Sequence, residues 1–260
     1  MQVILIKYFC VSAVCGIGLK RQNNEDNLCI DRLYLDEAAV ETTKNAVFEY
    51  SSTFSGSLFA AVCDGMGGEM AGEQASQIAV RELAALPAQS GEQEIFDRLR
   101  AISSKLNSEA QALGASCIGC TAAVLSLSGD SATVINVGDS RVYRLRKRKL
   151  EQLSHDQSEV QSYIDAGVLS EKKARSHPLR HKILKFLGMP EDKLDFEPAK
   201  QSEIKSGDAY LICSDGLTEC LEDKKICAML RSGASARRLY DAAMDKGGVD
   251  NTTIIIIRAE

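Results

Sequence analysis

The chain has 260 residues, 45% hydrophobic and 26% charged, with a formal net charge of −5. That length suits one domain, or at most two, with a sizeable core, and the hydrophobic share is that of an ordinary globular protein. The acidic balance argues against a nucleic-acid partner, whose footprint is normally a basic face.

Strand signals open the chain, over residues 2–14, 27–33 and 58–63. The first stretch, "MQVILIKYFCVSAVCGIGL", imitates a secretory segment, but Lys7 interrupts it and "SAVC" places Val where a cleavage site wants a small residue. No run approaches the ~18 apolar residues of a membrane helix, so a first strand and a cytoplasmic location are expected, with no membrane association. The stretch 36–57 reads as a polar excursion or long hairpin connection. Apolar residues then recur at spacings of three and four over 72–86 (Ala75, Ile78, Ala79, Leu83, Leu86) and 92–113 (Ile95, Phe96, Leu99, Ile102, Leu106, Ala110, Leu113), predicting two amphipathic helices. The period changes to two in "CTAAVLSLSGDSATVINVGDSRVYRLRKRKLEQLS", a meander broken at "SGDS", "VGDS" and "RKRK". Residues 156–185 carry weak helix signals. "DAYLICSDG" is a strand ending in an aspartate, two helical stretches follow, and "TTIIIIR" is a last buried strand.

This order does not alternate as βαβ units would. It predicts an α+β fold, two central, mainly antiparallel sheets flanked by helices in a four-layer α/β/β/α sandwich. No linker or repeat interrupts the chain, so residues 1–260 are expected to form one domain. Nine cysteines, several inside runs such as "AAVC" and "YLIC", suit buried hydrophobes in a reducing compartment better than disulfides. The lone "CIGC" of Cys117 and Cys120 lacks the second pair or nearby His of a zinc site.

Six carboxylates stand at polar breaks beside apolar runs: Glu25 and Asp26 in "RQNNEDN", Asp64 in "CDGMGG", Asp139 in "NVGDSR", Asp215 in "CSDGL" and Asp250 in "GGVDNTT". Any one of them reads well as turn chemistry, because Asp and Asn bond their own backbone beside Gly. A meander that gathers strand ends would gather these charges too, and like charges in one place need a cation. The three histidines all lie after the meander, so the donors are carboxylates, a carbonyl and water, which suits Mg²⁺ or Mn²⁺ rather than Zn²⁺. Gly65 could let its own carbonyl reach such an ion. Several carboxylates can hold two ions ~4 Å apart and support an in-line phosphoryl displacement. Arg21 is a candidate to hold the phosphate, since guanidinium pairs bidentately with phosphate oxygens, and a solvated residue beside Lys20 is the alternative.

The ordered series "GLKRQNNEDN", "LFAAVCDGMGGEMAGEQAS", "GCTAAVL", "INVGDSRVYRLR", "LEQLSHDQS", "ILKFLG", "YLICSDGLTECL" and "DNTTIIII" resembles the metal-dependent protein phosphatases, the type 2C Ser/Thr phosphatase family, in its compact bacterial form. The resemblance implies a β-sandwich flanked by helices and a two-ion Mn²⁺ or Mg²⁺ centre with a third metal position. In it Asp64 would bridge the ions, Glu25 and the Gly65 carbonyl would serve one, Asp215 and Asp250 the other, and Asp139 with Asp215 the third. Asp26 would hold water, and Arg21 would bind the phosphate of phosphoserine or phosphothreonine during direct attack by metal-activated water. Residues 157–185 would form a flap beside the site. Phosphorylated Ser/Thr proteins and a Ser/Thr kinase are the implied partners, with a monomer expected. A catalytically silent phosphoprotein-binding regulator and a small phosphoester hydrolase are the alternatives. The chain departs from the pattern at Met66, where some members carry His, at Gln157, where His is usual, and at Lys185, where Arg is expected. The last two put substrate preference in question rather than catalysis.

Overall fold

The computed structural model describes residues 8–67, 71–115 and 117–260. In chain order the elements are β1 (Phe9–Gly16), β2 (Asp26–Ile30), β3 (Leu33–Tyr34), α1 (Glu37–Thr42), β4 (Phe48–Phe54), β5 (Ser57–Met66), α2 (Ala71–Ala84), α3 (Glu92–Leu113), β6 (Gly119–Cys120), β7 (Ala122–Ser128), β8 (Ser131–Val137), β9 (Arg141–Arg146) and β10 (Lys149–Gln152). The second half continues with α4 (Glu159–Asp165), α5 (Glu171–Ala174), β11 (Lys200–Glu203), β12 (Ala209–Cys213), α6 (Asp215–Cys220), α7 (Asp223–Arg231), α8 (Ala236–Met244) and β13 (Thr252–Ala259).

Two antiparallel sheets result. One runs β10-β9-β12-β13-β1-β4, and the other β11-β8-β7-β5-β2-β3 with β6 against the end of β5. Strand alternation explains why both faces of each central strand are apolar. On β13, Ile255 and Ile257 point between the sheets, whereas Ile254 and Ile256 point to α6–α8. On β5, Leu58, Ala60 and Val62 enter the inter-sheet core, whereas Phe59, Ala61 and Cys63 meet α2 and α3. The expected four-layer sandwich is therefore the observed one, with three apolar layers between its four structural layers. All nine cysteines are free thiols. Among the described residues no helix is long and apolar enough to cross a membrane.

The helix over 92–113 matches its expected bounds, closed by Gly114 in the left-handed conformation at φ 64°. Other elements differ from the sequence reading. The excursion 36–57 contains a helix and a full strand, and β4 completes the edge of the first sheet beside β1. Its alternating FEYSSTF pattern carries too few apolar residues to signal a strand, because an edge strand buries only one face. The first strand starts at Phe9 among the described residues, and positions 2–7 of the expected span lie outside them. The aspartate after "LIC" does not end a strand. Ser214 is the N-cap and Asp215 the first residue of α6.

Candidate metal centre

Asp64 stands inside β5, not in the tight turn expected of "CDGMGG". The strand continues through Gly65 to Met66 because β2 pairs with it on one side and β6 on the other. The β2 pairing sets Asp26 directly opposite Asp64. The Asp64 N–H donates to Thr121 Oγ1 (3.0 Å), the Asp64 carbonyl accepts from Thr121 N–H (2.8 Å), and Thr121 Oγ1 lies 2.7 Å from Ser140 Oγ. Both the strand and the threonine thus hold the aspartate's backbone, leaving its carboxylate to face the other acids.

Those acids arrive from both sheets. Asp139 sits in the loop after β8, Asp215 at the start of α6 and Asp250 just before β13. Burial pushes the Asp64 carboxyl well above the ordinary range, reinforced by the charges of Asp26, Asp215, Asp139 and Asp250 in that order. Burial raises Asp215 likewise, with Asp139, Glu219, Asp250 and Asp26 adding to it. Asp26 is pushed up to about 7 by burial, against the lowering hydrogen bond from Ser214 Oγ, which donates to its Oδ2 at 2.6 Å. Asp139 is also pushed up to about 7, by burial and then Asp156, with Arg141 opposing. Glu25 is raised by burial and partly relieved by Arg21.

Each of these shifts has the same physical cause: buried negative charge without enough positive charge beside it. The oxygen inventory agrees. Asp26 Oδ1, Asp139 Oδ1 and Asp215 Oδ1 are buried and have no hydrogen-bond partner. Orphaned carboxylate oxygens are costly unless something cationic completes them. A donor set of oxygens fits hard divalent cations, so the residues present suit Mn²⁺ or Mg²⁺. Asp64, Asp215 and Asp250, together with Glu25 and the Gly65 carbonyl, are the groups able to hold them.

Asn251, absent from the sequence expectation, ties the loops of this end together. Its Oδ1 accepts from Glu25 N–H (2.9 Å), and its Nδ2 donates to the carbonyls of Ile17 and Asn23 (both 2.9 Å). The Asn251 N–H donates to Asp250 Oδ1 at 2.7 Å. Glycines matter here for space. A Cβ on Gly65 would come within 2.0 Å of the Gly72 carbonyl oxygen, and one on Gly72 within 2.4 Å of Glu25 Oε1. Gly65 is therefore bare so that α2 can approach the strand, whatever its own carbonyl does, and Gly72 makes room for the Glu25 carboxylate.

Arg21 lies at the same end, half exposed, its Nη2 donating to Asp250 Oδ2 at 2.5 Å. Two further residues join the acids. Glu219 follows Asp215 on α6, and its Oε1 lies 2.9 Å from His181 Nδ1. The spacing of four places both carboxylates on one helix face, a signal that only a helical reading of "SDGLTEC" would have used.

The Protein phosphatase 2C family model matches residues 45–246. The chain belongs to the protein phosphatase 2C family. It is 33% identical over 217 residues to the serine/threonine protein phosphatase PstP of Mycobacterium tuberculosis, covering 79% of this chain and 41% of that protein. It thus spans about two fifths of the length of the mycobacterial relatives. To the serine/threonine phosphatase stp of Listeria welshimeri it is 30% identical over 209 residues, 75% of this chain and 82% of that one. Its fold matches the PstP catalytic domain solved in complex with two manganese ions, with a TM-score of 0.75, 27% identity, and coverage of 96% of this chain and 98% of that one. Against this 2C-family frame the departures take concrete form. Gln157 is buried; its Oε1 accepts from Gly138 N–H (3.0 Å) and its carbonyl from Leu184 N–H (2.8 Å). It clamps both ends of the 157–185 segment to the Asp139 loop instead of facing a substrate. Lys185 pairs with Asp195 at 2.7 Å. Neither departure touches the acids.

Proposed function

We propose that this chain is a metal-dependent protein phosphatase that hydrolyses phosphoserine and phosphothreonine by direct water attack at a dinuclear Mn²⁺ or Mg²⁺ centre, with 157–185 as its flap and the remainder as one catalytic unit. The observation that carries it is the buried acid group itself: Asp64 set among four other aspartates, three of them with an orphaned oxygen. When bound, two divalent cations supply charge neutralisation and Lewis acidity toward water and the phosphoryl group. The chain's own residues do the remainder. Arg21, half exposed beside Asp250, turns its guanidinium to the phosphate and orients it. Asp26 keeps Oδ2 on Ser214 and leaves Oδ1 to take a proton from an attacking water. Met66 has no proton to give to the leaving group, so that proton comes from water. The free thiols support a cytoplasmic setting, and phosphorylated proteins, including a Ser/Thr kinase, are the expected partners of a monomer.

The test is phosphate release from a phosphothreonine peptide and from para-nitrophenyl phosphate, with and without Mn²⁺. Metal-stimulated release from the peptide is expected. Release from the small ester alone supports the small-ester hydrolase instead, and none from either, with binding of the phosphopeptide retained, supports the silent regulator.

A further inference from the structure

The segment 157–185 carries six Lys and Arg residues against three acids, in a chain whose net charge is −5. Its last turns lean on α6. Arg175 Nη2 donates to the carbonyls of Thr218 (2.7 Å) and Glu219 (3.2 Å), and His181 Nδ1 lies 2.9 Å from Glu219 Oε1. Burial raises the Glu219 carboxyl, with His181, Arg180 and Arg21 pulling it down and Asp250 pushing it up. Arg180 therefore lies within electrostatic reach of the same carboxylate as Arg21, the residue assigned to the phosphate.

The neighbouring cations of the segment are engaged. Arg175 holds the two α6 carbonyls, Lys182 lies 3.3 Å from Glu159, and Lys185 lies 2.7 Å from Asp195. Arg180 differs from them. Its Nε stands 3.9 Å from Glu219 Oε1, too far for a hydrogen bond, and 42% of its side chain is exposed. His181 already meets Glu219, so the Arg180 fork keeps its donors turned to solvent. Such a fork pairs bidentately with a carboxylate or a phosphate. The acid-rich end would otherwise repel an anionic peptide, so a surplus cation at its rim selects for one.

We propose that Arg180 determines substrate specificity by pairing with an anionic side chain, a carboxylate or a second phosphate, close in sequence to the phosphorylated residue. The preferred substrates are then acidic phosphosites, and basic ones are disfavoured. The assignment rests on the phosphatase reading, because Arg21 must first fix the phosphate. Arg175 and His181 act as positioning residues: they seat the segment on α6 and satisfy Glu219, which leaves Arg180 free for substrate.

A peptide scan tests this. A phosphothreonine peptide otherwise built of Ala receives one Asp, one Lys or one non-hydrolysable phosphonate at each of the three positions on either side. At one or two neighbouring positions Asp should raise kcat/KM about 3- to 5-fold over Ala, the effect of one exposed ion pair, and Lys should lower it. A larger gain from the phosphonate than from Asp identifies a second phosphate as the anion, and the reverse identifies a carboxylate. Arg180→Ala should flatten the scan, and Arg180→Glu should invert it to favour Lys; the position is exposed, so neither change threatens the fold. Lys172→Ala, which removes an exposed charge from the same segment, should leave the scan as in the parent. A flat scan in the parent, survival of the Asp preference in Arg180→Ala, or its equal loss in Lys172→Ala overturns the assignment. Peptide affinities from fluorescence anisotropy keep this separate from catalysis. If no peptide is hydrolysed the phosphatase reading falls, while an Arg180-dependent order of affinities upholds this site and its absence overturns it.

Discussion

The acid-bearing end of the sandwich and the 157–185 segment that leans on it are held by opposite means. Asp26 and Asp64 sit in paired strands of one sheet, and Asp215 opens a helix packed on the other. Apolar layers lie directly behind them, so the carboxylates stay in place despite repelling one another. The segment has two short helices; buried Gln157 ties its two ends to Gly138, half-exposed His181 and Arg180 pair with Glu219, and Lys182 pairs with Glu159 inside the segment. Exposed pairs of this kind contribute only ~0–1 kcal/mol each. A core can therefore hold electrostatic strain that a loop attached by such pairs could not.

The strongest way to break the contrast is Asp64→Ala. Turnover should fall at least ~10³-fold, on the order of 4 kcal/mol of transition-state stabilisation. The metal-free melting temperature should hold or rise, because a buried unpaired charge is removed. A near-normal rate would refute the central role of Asp64. Metal-free stability should also depend on pH in a direction set by Asp26 and Asp139, both raised to about 7 in the folded state. The native state keeps protons that the unfolded chain loses above its ordinary carboxylate value of ~4. Stability is then full below about pH 4, falls as pH rises to about 7 and levels off beyond. Between pH 5 and 7.5 with chelator the melting temperature should drop by roughly 5–10 °C, a few kcal/mol, and Mn²⁺ should abolish the drop. A flat or rising profile would contradict the buried charge.

Arg21→Ala should raise KM for a phosphopeptide about 10-fold or more with a smaller change in kcat, since a charged hydrogen bond contributes ~1.5–3 kcal/mol. An unchanged KM would count against phosphate binding. Gly72→Ala sharpens the packing side: its Cβ would strike Glu25 Oε1 and turn that carboxylate away, so weaker Mn²⁺ binding with little loss of stability is expected. Normal Mn²⁺ affinity would show that Glu25 does not need that space. The smallest effect belongs to Lys185→Ala, which removes a pair with the exposed Asp195 and should cost no more than ~1 kcal/mol, with kcat/KM within about twofold of the parent.

Much of this was legible before any coordinates. The six carboxylates were visible because each stands at a polar break beside an apolar run, Arg21 because it is a guanidinium four residues before Glu25, and Gly65 because it follows Asp64; the four-layer order followed from where the periodicity changes from helical to alternating. Misreadings cluster where neighbours override local signals. "CDGMGG" looks like a turn, yet pairing on both sides keeps Asp64 to Met66 extended. Gln157, read from the sequence as bearing on substrate preference, is buried and accepts from Gly138 N–H through its side chain. The sequence does not single out Glu219, because the six residues of α6 are too few for helical periodicity to declare itself.

The sequence by itself determined which groups are present: a carboxylate-rich, histidine-poor donor set, apolar strands buried on both faces, and glycines where α2 closes on β5 and on Glu25. Only the tertiary structure decided which groups face one another. The register that puts Asp26 opposite Asp64, the Asn251 bridge between distant loops, and the meeting of His181 with Asp215 and Glu219 all join residues far apart in the chain. Side-chain spacing along a strand or helix is written in local periodicity, whereas the pairing of one element with another depends on packing the whole core at once.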